Sequence, residues 1–196
     1  MDWDERYNET GFTYGTTPNE FLVAVVDRIP RGRILMLAEG EGRNAAYLAA
    51  LGYDVTAVDS SAVGLRKAAE LAAERGVAII TLVADLAEFT IEPAAWDGII
   101  SCYCHLPSSL RIPLHRAVVQ GLKPGGVFVL EAFSKEQLAY DTGGPKSPDM
   151  LMSLYELKRE LIGLNFSHAV ALERTVLEGR GHTGRAAVVQ LLGIKP

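Results

Sequence analysis

The sequence predicts an α/β domain, a doubly wound and mostly parallel sheet with an antiparallel edge. Three observations carry this. Strand-like apolar runs alternate with helical stretches along most of the chain, which implies parallel strands with helices on both faces. The first run, residues 33–38 (RILMLA), is apolar throughout, as in a strand buried on both sides. The last two strand-like segments flank Gly179-Arg180-Gly181-His182-Thr183 and read as a hairpin.

Taken in order, residues 2–17 are rich in aromatics and turn formers: Trp3, Tyr7, Phe12 and Tyr14, with Gly11 and Gly15. Pro18 opens a helical stretch with Phe21, Leu22, Val25, Val26 and Ile29 on one face, broken by Pro30-Arg31-Gly32. A glycine turn after the first strand leads into a helix over about residues 43–51. A second strand, 54–58, ends at Asp59. Ser60 and Ser61 can cap a long helix to about residue 75, closed by Gly76. The third strand is expected over 77–83, ending at Asp85, and the fourth over 96–101. Ser108 or Ser109 is expected to cap a helix to about residue 121 or 122. Lys123-Pro124-Gly125-Gly126 reads as a turn before a fifth strand, 127–133. A long helix is expected between residues 148 and 164, then strands over about 168–178 and 184–192.

A length of 196 residues fits one domain, 1–196, with residues 1–17 as a lid. With 48% hydrophobic and 22% charged residues, the composition is that of an ordinary soluble domain. A net charge of −5 argues against nucleic acid as the main partner, because phosphate neutralisation needs a basic surface. No run approaches the roughly 18 apolar residues of a membrane helix. The acidic start lacks the apolar run of a signal peptide, and the two cysteines, Cys102 and Cys104, are too close for a useful staple; the expected location is cytoplasmic. Composition leaves the oligomeric state open.

In doubly wound sheets, ligands bind beyond the carboxyl ends of the strands, where strand order reverses. After the first strand stands Ala38-Glu39-Gly40-Glu41-Gly42-Arg43-Asn44-Ala45. Its glycines allow a tight turn and a close ligand, and the following helix offers amides and a positive dipole end to a carboxylate or phosphate. After the second strand stands Asp59, placed for two ribose hydroxyls. After the third stand Asp85 and Leu86, a carboxylate for the amine of adenine and an apolar face for its ring. The order glycine loop, acid, acid suits an amino-acid tail, a ribose and an adenine. The glycine loop also fits the dinucleotide pattern G-x-G-x-x-A at Gly40, Gly42 and Ala45, which leaves a nicotinamide oxidoreductase as a competing reading.

These segments, with WDERY at residues 3–7, Tyr14-Gly15, Pro18-Asn19, WDGIIS, CHLP and GLKPGG, resemble the class I S-adenosylmethionine-dependent methyltransferases. Within them the chain is similar to the small branch related to tellurite-resistance and thiopurine methyltransferases. The resemblance implies a seven-stranded sheet with the last strand antiparallel. It implies that Ala38, Glu39 and Gly40 cradle the methionine part of S-adenosylmethionine, that Asp59 holds the ribose, and that Asp85 with Leu86 holds the adenine. Gly42, Asn44 and Ser60 belong to the same loops. Cys102 and Tyr103 would line the site near the sulfonium, and Tyr14 and Gly15 would close over it. The chain departs from the family at Met36, where an acid is usual, and at Ala38, where a glycine is usual. A cofactor-binding chain without transfer is therefore an alternative.

Methyl transfer from a sulfonium needs alignment and exclusion of water, and a base only where the acceptor's pKa requires one. The expected acceptor is a small molecule with a soft nucleophile, such as a thiol or metalloid oxyanion. Tyr14, Tyr103, His105 and His182 are the candidate catalytic helpers. Glu131 reads equally as a buried acid near the substrate or as a structural group. Cys102, Cys104 and His105 lack the fourth ligand and the spacing of a zinc site, so no metal is expected.

Overall fold

Side chains alternate across a strand, so a strand apolar on both faces must be covered on both. In the first strand Ile34 and Met36 join one core cluster, while Leu35 and Leu37 join another. The computed structural model describes residues 2–196; Met1, the first residue of the expected lid, lies outside them. In chain order the elements are α1 (Trp3–Tyr7), α2 (Glu20–Val25), β1 (Arg33–Leu37), α3 (Arg43–Ala50), β2 (Asp54–Asp59), α4 (Ala62–Glu74), β3 (Ile80–Val83), β4 (Trp96–Cys102), α5 (Ser108–Gly121), β5 (Leu122–Phe133), α6 (Leu154–Glu160), β6 (Asn165–Glu178) and β7 (His182–Ile194). Helices α2 and α3 cover the Ile34–Met36 face through Phe21, Leu22, Ala45 and Leu48. Helices α5 and α6 cover the other through Leu114, Val118 and Leu157.

The sheet has seven strands in the order β3-β2-β1-β4-β5-β7-β6. Strands β1 to β5 are parallel, and β7 runs antiparallel between β5 and β6. This is the architecture the sequence predicts. The order reverses between β1 and β4, so the ends Leu37 and Cys102 flank the crevice where such sheets bind ligands.

Several boundaries differ from expectation, each for a local reason. Strand β3 starts at Ile80 rather than 77: it is an edge strand whose only partner, β2, pairs with it from Thr56, while Val77 and Ile79 pack on the helical side. Neither Ser108 nor Ser109 caps α5; Pro107 holds the cap position, and the Asp149 carboxylate accepts the Ser108 N–H at 2.9 Å. Strand β5 begins at Leu122, so Lys123-Pro124-Gly125-Gly126 is an irregularity within the β4–β5 ladder rather than a separate turn. The long helix expected between 148 and 164 is a single-turn 3-10 helix, Pro148–Met150, followed by the short α6. Met152 donates its N–H to the Phe133 carbonyl at 3.1 Å, which keeps 151–152 extended and delays the helix to its Ser153 cap. His182 lies in the first pair of the β6–β7 ladder, opposite Glu178, not in the loop.

Gly42 begins α3 at φ +84° and lies against α4; a Cβ there would stand 2.4 Å from that of Ala68. Gly42→Ala combines left-handed strain with overpacking, and should lower stability by about 3 kcal/mol. Urea unfolding checks this; a loss below about 1 kcal/mol would contradict the account.

Candidate active site

A cavity of about 460 Å3 opens at the carboxyl ends of the parallel strands. Ala38, Glu39, Gly42 and Asn44 line it from the segment after β1, Asp59 and Ser60 from the end of β2, and Asp85 and Leu86 from beyond β3. Cys102, Tyr103 and His105 line it from the end of β4, Tyr14 and Gly15 from the N-terminal segment, and His182 from β7. Of the residues expected from sequence to bind the cofactor or assist transfer, Gly40 alone does not face the cavity. Its N–H donates to Asp59 Oδ2 at 2.8 Å, and its α-carbon backs onto Tyr7, whose hydroxyl would lie 2.6 Å from an added Cβ.

The loop after β1 is held from within. Ala38 sits at φ +51°, a conformation that costs a residue with a Cβ roughly 1–2 kcal/mol. Glu39 Oε1 accepts the N–H groups of Asn44 at 3.0 Å and Ala45 at 2.8 Å. The helix amides expected to be free for a ligand are thus taken by the chain's own carboxylate, which corrects that expectation. Burial nonetheless pushes the Glu39 carboxyl up to about 7, against these bonds and the charge of Arg43. Asp59 accepts from Gly40 on one oxygen and from the Ser61 N–H, at 2.8 Å, on the other. Each oxygen keeps a further acceptor site. Burial holds its pKa above the usual carboxylate range, against those amide bonds. Asp85 is exposed, and its Oδ1 accepts the Ala87 N–H at 2.9 Å, which fixes the turn after β3.

Residues 2–17 are tied down beside the cavity. Asp4 accepts from the Ser61 hydroxyl and from the Val63 N–H at 3.1 Å. Thr13 N–H donates to Glu41 at 2.7 Å, and Lys67 bridges Glu41 at 2.9 Å and the Gly11 carbonyl at 2.6 Å. The Thr13 carbonyl accepts from Arg180 N–H at 2.8 Å, joining this segment to the β6–β7 hairpin. Trp3, Arg6 and Tyr7 also line the cavity.

The far half of the cavity is aromatic. The His182 ring lies 4.5 Å from Tyr14, 4.6 Å from Tyr103 and 4.9 Å from Phe133, centroid to centroid. His105 uses both nitrogens on backbone: Nδ1 meets the Met150 carbonyl at 2.9 Å and Nε2 accepts the Phe133 N–H at 3.3 Å. Burial lowers its pKa to about 4. It is a neutral, tethered ring, and the expected role as acid or base has no nitrogen to perform it. Glu131 is fully buried and bonded to Asn19 at 2.8 Å, Tyr103 at 2.8 Å, Arg174 at 2.9 Å, and Gln190. It does not line the cavity, so its structural reading holds.

Residues 34–126 match the profile of a family described as a methyltransferase domain. The chain is 28% identical over 137 residues to a 2-heptyl-1-hydroxyquinolin-4(1H)-one methyltransferase of Mycobacteroides abscessus, covering 68% of this chain and 60% of that protein. A solved structure described under the conversion of a disulfide bond into a thioacetal group during echinomycin biosynthesis superposes with TM-score 0.79 at 19% identity, covering 98% of this chain and 90% of that one. TehB from Haemophilus influenzae gives 0.74 at 21% identity, covering 99% and 66%. This is a class I methyltransferase fold. The chain spans 60% and 48% of the lengths of two curated relatives it matches.

Within the methyltransferase fold, the polar frame behind the cavity is what sequence reasoning missed. Arg43 donates to Glu178 at 2.7 Å, and Asn19 donates to both Glu178 at 3.0 Å and Glu131. Residues 135 and 159 positions apart meet here, and no local pattern announces such pairs. Gly143, Gly144, Pro145 and Met150 also line the cavity, from the insert after β5.

Burial alone would raise the Glu178 pKa, but the nearby His182 ring, the bonds from Arg43 and Asn19 and the charge of Arg43 outweigh it and bring it from 4.5 to about 2. A depressed carboxylate adds stability above its unfolded pKa and loses it as pH falls through the folded one. Glu178→Gln should therefore cost about 3–5 kcal/mol at neutral pH, because it leaves Arg43 buried and unmatched. The deficit should shrink as pH falls from 4.5 toward about 2. Denaturant unfolding across this range checks the sign; a deficit independent of pH would contradict it.

Proposed function

We propose that the chain is an S-adenosylmethionine-dependent methyltransferase acting on a small-molecule acceptor with a soft nucleophile, such as a thiol or metalloid oxyanion. One observation supports this above the rest. The loop after β1, Asp59, and Asp85 with Leu86 share one cavity of about 460 Å3, within the range of about 300–1,000 Å3 usual for small-molecule sites. Asp59 retains acceptor sites for two ribose hydroxyls, Asp85 suits the adenine amine, and Leu86 its ring face. The backbone at Ala38 and Glu39, with Gly42, Asn44 and Ser60 nearby, borders the space for the methionine tail. S-adenosylmethionine held there would supply an electrophilic methyl group.

The chain's own residues do the rest. Residues 2–17 act as a lid that excludes water, with Tyr14 and Gly15 over the cavity. Cys102, Tyr103, Tyr14 and His182 surround the acceptor side. Burial raises the pKa of Cys102 well above its ordinary value, so its thiol stays neutral and serves as lining. The acceptor named for the Mycobacteroides relative is a hydroxyquinolone, and the echinomycin structure is described under the conversion of a disulfide; both support a small acceptor, and the second a sulfur one. TehB supports the tellurite-resistance branch.

The alternative, cofactor binding without transfer, rests on Met36 and on Ala38, whose Cβ sits at a left-handed turn where the family usually has glycine. Met36 weighs more. It is buried in an apolar cluster where the family usually has an acid, and it offers nothing to an ammonium. Calorimetry with S-adenosylhomocysteine tests the shared claim. Asp59→Asn and Asp85→Ala should each weaken binding about 10- to 100-fold, the value of a hydrogen bond to a charged group. Unchanged affinity in both variants would sink the assignment. Tight binding with no turnover on a panel of thiols and metalloid oxyanions would favour the alternative.

A further inference from the structure

An acceptor hydroxyl or thiol that carries its proton must lose it during transfer, and the cavity holds few groups able to take it. His105 has both nitrogens on backbone groups. The Tyr103 hydroxyl donates to Glu131. Asp59 and Asp85 stand at the nucleoside end of the cavity described above; Glu39 is spent on the Asn44 and Ala45 amides in the loop after β1, and Glu41 on Thr13 and Lys67. His182 remains. It is 7% exposed, and its Nδ1 makes no hydrogen bond although it lies 3.5 Å from Glu178 Oε2. A buried polar atom without a partner is uncommon in a native fold and marks a group with another task.

The Glu178 carboxylate is fixed. Asn19 donates to Oε1 at 3.0 Å and Arg43 to Oε2 at 2.7 Å. The Asn19 backbone is itself tied to Asn44 Oδ1 at 2.8 Å, and the β6–β7 register places Glu178 opposite His182. On the other side, the Cδ2–Nε2 edge of the ring faces Gly143, which lines the cavity. The charged and titratable groups around the ring are Glu178 from β6, Arg43 from α3, Arg6 from α1, Tyr14 from the lid, and Tyr103 and His105 from the turn after β4. Burial lowers the pKa of His182, and Arg43 and Arg6 add to this while Glu178 opposes it. The ring is neutral at neutral pH and has a lone pair to offer.

We propose, resting on the transferase reading above, that His182 is the base for a protic acceptor and that Glu178 is its positioning residue. The acceptor oxygen or sulfur forms a bond to the methyl carbon as the carbon–sulfur bond of the donor breaks, its electron pair going to that sulfur. The acceptor's proton passes to His182 Nε2. The imidazolium turns its Nδ1–H to Glu178, which gains the hydrogen bond missing from the neutral ring. The proton goes to water when product leaves. The acceptor is then a hydroxyl or thiol still protonated at neutral pH, rather than a pre-formed anion.

NMR of protein with isotope-labelled histidine, saturated with S-adenosylhomocysteine, tests the pairing without any acceptor. The neutral ring should carry its proton on Nδ1, Glu178→Gln should lower the midpoint of its titration, and Glu178→Asp should restore most of it. The opposite tautomer, or a midpoint unmoved by Glu178→Gln, would overturn the proposal. In turnover, mercaptoethanol is protonated at neutral pH and nitrothiophenol is already ionised. His182→Gln, which leaves the Arg43–Glu178 pair intact, should slow the first on the order of 100-fold and leave the second nearly unchanged. Equal losses would assign the ring to packing and overturn the proposal. Failure of wild-type protein to bind S-adenosylhomocysteine in calorimetry would overturn the transferase reading itself, whereas binding with an unmoved titration overturns the His182 assignment alone.

Discussion

Reversal of strand order between β1 and β4 is the constraint from which the site follows. Crossover connections on either side of that point leave toward opposite faces of the sheet, so no helix covers the strand ends between them. The ends of β1, β2 and β4 face one open crevice, and the segments leaving them must satisfy their own backbone groups. Glu39 caps α3, Asp59 ties Gly40 to Ser61, and Asp85 closes the turn after β3. The carboxylates that shape the loops also line the cavity.

The crevice is closed by parts distant in sequence, and buried charge holds them. Glu178 joins the final hairpin to α3 through Arg43 and to the segment before α2 through Asn19. Glu131 joins the sheet interior to Tyr103, Arg174 and Asn19. Breaking such pairs strands a charge in the interior, which is far more costly than never having placed it there. The N-terminal segment is anchored in the same way at Glu41, which receives both Thr13 and Lys67. These contacts bring the N-terminal segment, α3 and the hairpin together around one space.

The sequence makes the sheet legible because its signals are local and repeated: continuous apolar strands, glycine at helix ends, serine at helix starts. Ser61 caps α4 and Gly76 ends it at φ +72°, as the residue types imply. The three loops of the crevice are legible for the same reason, since each follows directly on its strand. What local pattern cannot show is partnership across the chain. Nothing around Ser108 reveals that Asp149 takes its amide, and nothing around His105 reveals that Met150 and Phe133 occupy both nitrogens. The stretch at 148–164 misleads because the bond from Met152 to Phe133 outweighs helical propensity for two residues.

A crystal structure of the chain with S-adenosylhomocysteine tests the central claim most directly. The account predicts ribose hydroxyls on Asp59, adenine between Asp85 and Leu86, and the sulfur turned toward Tyr103 and His182. A nucleoside bound away from Asp59, or a sulfur facing the solvent side of the crevice, would contradict it.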